Sequence, residues 1–351
     1  MADIKKDSTL KPACDGALDY EYTFGWTDAD RALLARLQSF IPGKVFDAHA
    51  HLHKVEYMPP GDNLFWSFGT TDAEKFLADQ KALYGDRKFR GLLLPTPSVL
   101  FNGRPELRAE MNAWMNEELR KLPDCVGAVY VVPGDTKEDI EAMLTNPQVK
   151  GFKCYHQTAN TEGSTWFAEV DQYLPKAAWQ VANERGMSIT IHMVRPSALA
   201  DEKNMSYFKK MTAKYPNAKL ILAHCARGFA SWTTIEVVRQ MKGIPNVYYD
   251  MAAICDAATM CEVIRQAGVD HVMWGSDYCI DRAHGKPVNV GEGFRWLYKH
   301  EIPEQMNFPV CMTVLESLFA FYQASLVLDL SQEDIEKIFY GTGCRLYDLQ
   351  D

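Results

Sequence analysis

Two histidines one residue apart, His49 and His51, close the apolar run Val45-Phe46-Asp47-Ala48-His49-Ala50-His51. In an extended strand alternate side chains share a side, so the two imidazoles can grip one ion. Asp47 falls on that side too, deeper along the run, where it can orient a ligand or satisfy backbone. Four further runs end in ligand-type residues: Gly151-Phe152-Lys153, Ile189-Thr190-Ile191-His192, Leu220-Ile221-Leu222-Ala223-His224 and Val272-Met273-Trp274-Gly275-Ser276-Asp277. Each is a weak signal alone, since a single histidine is more often a satisfied core residue and a single aspartate a helix cap. Together they point to six ligands on one metal centre, with hydrolysis the leading chemistry. A carboxylate at Asp277 can both bind metal and take the proton of an attacking water.

Lys153 is the most diagnostic of the six. As an ammonium it would repel a cation. Buried beside metal its pKa should fall, and a neutral amine can add CO₂ to give an anionic carbamate whose two oxygens bridge two ions. The other reading is an ordinary lysine that positions substrate. Polar residues follow the ligands: Tyr155 and His156 after Lys153, Arg195 after His192, and Arg227 after His224. They suggest a small polar or carboxylated substrate, because an arginine fork suits a carboxylate. Salt bridges that support loops are the competing reading for each arginine. His53 continues the alternation but falls past Leu52, as a supporting or surface residue. His271 precedes its run and belongs to the opposite, structural end, while His284 and His300 receive no role. Cys225 and Cys279 lie close to His224 and Asp277 in sequence, and packing is the favoured reading of both.

Elements must bring these residues together. Candidate strands begin near Lys44, Phe89, Val126, Val149, Met187, Lys219, Val247 and His271. They are short and apolar without clean alternation, as strands buried on both faces should be. Helical patterns fall between them at 71–84, 106–122, 135–144, 166–185, 206–215, 230–242 and 256–267. The pattern Asp135-Thr136-Lys137-Glu138 reads as a cap for the third of these. The strand spacing of roughly 25 to 45 residues suits βαβ units. Eight such repeats give an α/β protein, a (β/α)₈ TIM barrel, whose strand ends share one face. A doubly wound sheet is the alternative, but His49-Ala50-His51 stands where its glycine-rich phosphate turn would be. Residues 1–43 read as an N-terminal extension, with a helix opened by Thr27-Asp28-Ala29-Asp30 and stopped by Pro42-Gly43. Residues 44–351 form the hydrolase barrel. Its longest loop, 52–70, holds Tyr57, Phe65, Trp66 and Phe68 and reads as an active-site loop. The chain after Arg282 supplies the last helices, the final one opening at Ser331-Gln332-Glu333-Asp334 and ending at Gly341-Thr342-Gly343.

The chain of 351 residues is 47% hydrophobic and 24% charged, which is ordinary globular composition. A net charge of -9 argues against nucleic acid and anionic membranes as partners. Residues 308–330 are apolar but interrupted by Glu316, Gln323 and Ser325, so a buried helix is expected rather than a membrane span. The polar start, Met1 to Asp7, lacks a signal-peptide core. Nine cysteines without CxxC pairs read as reduced thiols in a cytoplasmic protein. A homo-oligomer is compatible with all of this.

The set His49, His51, Lys153, His192, His224 and Asp277, in that order, resembles the amidohydrolase superfamily, and within it the amidohydrolase-related (amidohydrolase 2) branch. Met273-Trp274-Gly275-Ser276-Asp277-Tyr278 is similar to the branch's eighth-strand signature. Ile338 to Tyr347 is similar to its closing helix, with Gly341-Thr342-Gly343 where an Asn-Ala pair is common. The resemblance covers residues 44–350. It implies two divalent ions, zinc suiting the histidines and manganese or iron as alternatives. His49, His51 and Asp277 would hold the buried ion, His192 and His224 the second, and a carboxylated Lys153 would bridge them. A hydroxide between the ions would attack an amide, lactone or ester carbonyl, with Asp277 as proton shuttle. The branch also implies an alternative with one ion on His49, His51, His192 and Asp277. There His224 is a free acid/base, Lys153 meets substrate, and the reaction is decarboxylation or hydration.

Overall fold

Eight parallel strands follow one another around a barrel in sequence order. They are β1 (Lys44–Leu52), β2 (Lys88–Pro95), β3 (Val126–Tyr130), β4 (Val149–Cys154), β5 (Ser188–Ile191), β6 (Lys219–Leu222), β7 (Val247–Asp250) and β8 (Val272–Met273). Helices on the outside connect them. The structure is a computed structural model and describes residues 24–306 and 308–350. The eight starts lie within a residue of those expected, and the strands are almost wholly buried, as the unalternating apolar runs require. Closure runs past the short β8. The Ala48 N–H donates to Trp274 O (2.9 Å) and the Asp277 N–H to His49 O (2.8 Å), so the chain beyond Met273 acts as the eighth wall.

Two cores result. The outward strand faces pack under the helices. The barrel interior is filled by Phe46, Ala48, Leu92, Leu94, Val126, Ala128, Ile221 and Met273, together with Tyr340, Cys344, Leu346 and Tyr347 from the C-terminal segment. That segment stoppers the end of the barrel away from the candidate ligands and corrects one expectation. Gly341-Thr342-Gly343 does not end the last helix. Gln332–Glu336 runs through a π-turn at Lys337–Gly341 into Thr342–Leu346. Gly341 has φ −62°, an ordinary helical value. The glycine at 343 serves close approach, since a Cβ there would lie 2.3 Å from Phe46 Cδ1.

Other boundaries differ for local reasons. The pattern at 166–185 becomes short turns at Thr165–Phe167 and Val170–Gln172 and then a helix, Lys176–Arg185, because Pro175 sits at its N-cap. The pattern at 230–242 splits into Trp232–Ile235 and Val238–Met241. The cap expected from Asp135 is made one residue later, by Thr136 and Asp139. After Arg282 an antiparallel hairpin, β9 (Gly285–Val290) and β10 (Gly293–Tyr298), precedes the helix Thr313–Val327. Among the described residues no helix is long and apolar enough to cross a membrane.

Residues 1–23 of the expected extension, and the Met1–Asp7 reading with them, lie outside the described residues. The helix Asp28–Leu37 carries the expected cap, a reciprocal Thr27–Asp30 box. Asp30 is buried and also accepts from His284 Nε2 (2.8 Å) and the Met312 N–H (2.9 Å). His284, given no role from the sequence, therefore pins this helix to the start of the hairpin.

Candidate metal centre

Each expected ligand arrives at the same end of the barrel by a different local device. β1 shifts register against β2 between Asp47 and Ala50. Asp47 holds that irregularity: Oδ1 accepts from the N–H groups of His49 (3.1 Å) and Ser276 (2.9 Å), and Oδ2 from Ser276 Oγ (2.5 Å). It is thus a backbone clamp between β1 and the chain after β8. Gly275 permits the close approach, since a Cβ there would stand 3.1 Å from His49 Cβ. Lys153 lies within β4, register partner of Thr190 on β5. His192 directly follows β5. His224 opens a left-handed turn, with φ of 58°, 49°, 61° and 58° from His224 to Arg227. Asp277 lies four residues past β8, itself at φ 69°.

The result is a compact, buried cluster. His49 Nε2 is 3.1 Å from His51 Nε2, 3.3 Å from Lys153 Nζ and 3.5 Å from Asp277 Oδ1. His51 Nε2 is 3.7 Å from the same carboxylate oxygen. The His224 ring centroid is 4.8 Å from that of His49 and 5.0 Å from that of His192. His192 is partly exposed and stands at the edge, 4.6 Å from the Tyr155 ring. Among the described residues, two three-residue groups have donor atoms close enough for one ion: His49, His51 and Asp277, and His49, His224 and Asp250.

The donor set fits a divalent ion. His51 Nδ1 faces Pro95 O (3.2 Å) and His224 Nδ1 faces Ala252 O (2.9 Å). A carbonyl only accepts, so both rings carry their proton on Nδ1 and leave Nε2 as a lone pair. Burial keeps the imidazoles of His49, His51 and His192 well below their ordinary pKa and takes His224 to about 3. They are neutral at neutral pH, as candidate ligands must be. Burial likewise lowers Lys153, opposed by the nearby Asp277 and Asp250 charges, and raises Asp277, opposed by Lys153.

Asp250, at the end of β7, escaped the sequence reading. Its Oδ2 lies 2.9 Å from His49 Nδ1 and its Oδ1 accepts the His224 N–H at 2.8 Å. The signal available was one acidic residue closing Val247-Tyr248-Tyr249-Asp250, with no spacing motif around it. Of the two readings of His53, supporting or surface, burial removes the second: the ring is fully buried, its Nδ1 2.9 Å from Thr71 Oγ1. His271 stays at the opposite end, its Nδ1 on Val247 O (2.8 Å). Phe65 meets the His53 ring edge-on at 4.9 Å and Phe68 meets Tyr278 at 5.9 Å, so this loop packs onto the site's wall.

The expected substrate contacts divide. His156 is buried, 4.1 Å from the Trp166 ring and 6.5 Å from the His192 ring, and its Nε2 has no hydrogen-bond partner among the described residues. Tyr155 lies between His156 and His192. Arg227 stands over Trp166 (5.7 Å) and Phe294 (5.4 Å). Arg195 already serves its loop, donating Nε to Asp201 and an amino group to Phe167 O, each at 2.8 Å. Cys225 and Cys279 are buried with thiols pushed well above their ordinary pKa, which suits packing and not nucleophilic attack.

A family model described as amidohydrolase matches residues 46–349. Among solved structures the chain is similar to 2,6-dihydroxybenzoate decarboxylase from Rhizobium, at 14% identity over 87% of this chain and 98% of that one, with a TM-score of 0.56. It is similar to a putative 2-pyrone-4,6-dicarboxylic acid hydrolase from Pseudomonas putida, at 13% identity over 89% and 100%, TM-score 0.53. A third likeness is to 4-oxalomesaconate hydratase from Rhodopseudomonas palustris, at 15% identity over 87% and 96%, TM-score 0.52. At these identities the likeness is one of fold. No curated protein matches the chain in sequence.

Proposed function

The chain belongs to the amidohydrolase family, and from that premise we propose that it is a metal-dependent hydrolase of a small polar or carboxylated substrate, cleaving an amide, lactone or ester bond. The observation that carries the reading is Lys153, a lysine 1% exposed whose Nζ lies 3.3 Å from His49 Nε2 and whose pKa burial lowers. A neutral amine there adds CO₂, forming an N–C bond and releasing one proton. The product is an anion that would add to the two carboxylates, Asp277 and Asp250, set among neutral imidazoles.

His49, His51 and Asp277 would hold the more buried ion, His192 and His224 a second, and the carboxylated Lys153 would lie between them. Zinc suits this donor set, with manganese or iron as alternatives. Bound there, divalent ions supply Lewis acidity, lowering the pKa of water and drawing charge from a carbonyl oxygen. Asp277 takes the proton of the attacking water and delivers it to the leaving nitrogen or oxygen as the carbonyl bond to that atom breaks. His224, fixed through Nδ1, keeps its ring from turning away. Tyr155, His156 and Arg227 would meet a substrate's polar end, and Arg195 would steady the same rim.

A second reading has one observation on its side. The donor atoms of His49, His51 and Asp277 already lie close enough together for a single ion. One ion on His49, His51, His192 and Asp277 would leave His224 as acid/base and Lys153 to contact the substrate. That arrangement suits a decarboxylase or hydratase, the activities named for two of the similar structures. Metal content and intact mass of the purified protein separate the two. About two ions per chain with a CO₂ adduct on Lys153 support the hydrolase. One ion with an unmodified lysine supports the lyase.

A further inference from the structure

The Asp250 carboxylate touches both halves of the ligand set. It is fully buried at the end of β7. Oδ2 lies 2.9 Å from His49 Nδ1, while Oδ1 accepts from the N–H groups of His224 (2.8 Å) and Ala252 (3.2 Å). Two structural requirements meet at this one group. The first is a tautomer. His49 turns Nε2 toward His51, Lys153 and Asp277. A neutral imidazole offers a lone pair there only if its proton is on Nδ1, and a carboxylate facing Nδ1 favours that form.

The second is a backbone turn. Four consecutive residues that are not glycine, His224 to Arg227, have left-handed φ. L-residues avoid this region, and a run of them persists only where the surroundings over-determine it. Here the His224 N–H is held by Asp250, the Gly228 N–H returns to His224 O (2.8 Å), and Thr234 Oγ1 donates to Cys225 O (2.9 Å). Asp250 is the member of this clamp that also reaches across to β1.

We infer that Asp250 is a positioning residue that locks His49 in its Nδ1–H form and holds the His224 turn, so that the ligands are aligned before an ion arrives. The inference rests on the metal-centre reading above. In that reading Asp250 acts through other residues, since it faces His49 Nδ1 and not the Nε2 that turns toward His51, Lys153 and Asp277.

Asp250→Asn separates the two roles. Its amide oxygen still accepts from the His224 and Ala252 N–H groups, which leaves the amide NH₂ facing His49 Nδ1. A donor in that position draws the imidazole into the other tautomer, with its proton on Nε2. Asp250→Ala removes both supports. The test uses full-length metal-free protein carrying isotope-labelled histidine, and reads the His49 tautomer from long-range nitrogen–proton correlations. It also reads Zn²⁺ affinity by competition with a chromophoric chelator. The wild type is expected to show Nδ1–H at His49, and Asp250→Asn to show Nε2–H. Zn²⁺ affinity should fall about tenfold to a hundredfold in the Asn variant, with the melting temperature of the metal-free protein little changed. Asp250→Ala should lose both affinity and melting temperature. A wild-type His49 protonated at Nε2, or wild-type Zn²⁺ affinity in Asp250→Asn, overturns the inference. If that variant does not fold, the wild-type spectrum decides alone. Absence of hydrolase turnover would count against the proposed reaction and leave these readouts standing, so the two can fail separately.

Discussion

An ammonium at Lys153, 3.3 Å from His49 Nε2, and a divalent ion on the same imidazole would repel each other strongly in so buried a place. The lysine must lose its proton or the ion must sit elsewhere, and the proposed carboxylation would resolve the conflict in favour of the ion. Lys153→Ala should therefore abolish turnover, and added short-chain carboxylate should restore part of it by filling the space of the missing anion. Full activity in the variant would remove the bridge. Asp277→Asn should retain much of the metal, since His49 and His51 remain, yet lose turnover by about two to four orders of magnitude, the usual worth of a positioned acid/base. Steady-state kinetics beside metal analysis would check this, and near-normal turnover would place the proton transfer on another group. His49→Ala should bind little metal and still give the circular dichroism of the folded barrel. Unfolding would instead mark it as a packing residue.

At the scale of elements, the plug formed by residues 337–347 is the most exacting fit. Gly343→Ala would push a methyl group into the Phe46 ring, and overpacking of this kind costs about 1–3 kcal/mol. Denaturant unfolding should show that loss with metal stoichiometry unchanged, because the plug lies at the barrel end away from the ligands. The strands themselves were legible because burial on both faces leaves a plain apolar run, and six of the runs' closing residues were chemically distinctive. Helix limits were less so. Pro175 outweighed the helical pattern at 166–185, and a glycine needed for contact with Phe46 looks the same in sequence as one that ends a helix. The hairpin of β9 and β10 was missed although Phe294, Trp296 and Tyr298 alternate as a strand should. Asp250 was out of reach for a different reason. Its meaning depends on β7 lying beside the turn after β6 and within reach of β1, a proximity that exists only once the barrel closes.

Across the whole molecule, the chain ends brace the catalytic scaffold. Asp30 accepts four hydrogen-bonding partners from three parts of the chain, and these hold its carboxyl down from 3.8 to about 2 despite burial. A depressed acid stabilises the fold above its unfolded pKa and loses that contribution as pH falls through its folded pKa. The contribution, about 2 kcal/mol for such a shift, should thus be intact at neutral pH and vanish between about pH 4 and pH 2. Asp30→Asn should be less stable at neutral pH and show a shallower acid transition in a pH series of thermal melts. Beyond stability, the molecule's central feature is that β1, β4, β5 and β6, with the segment after β8, deliver their candidate ligands to one end of the barrel. Anomalous diffraction from crystals of the metal-loaded protein tests this most directly. A peak bounded by His49 Nε2, His51 Nε2 and the Asp277 carboxylate, with Lys153 beside it, is the expected result. Metal bound away from these residues, or no peak there at full loading, would contradict it.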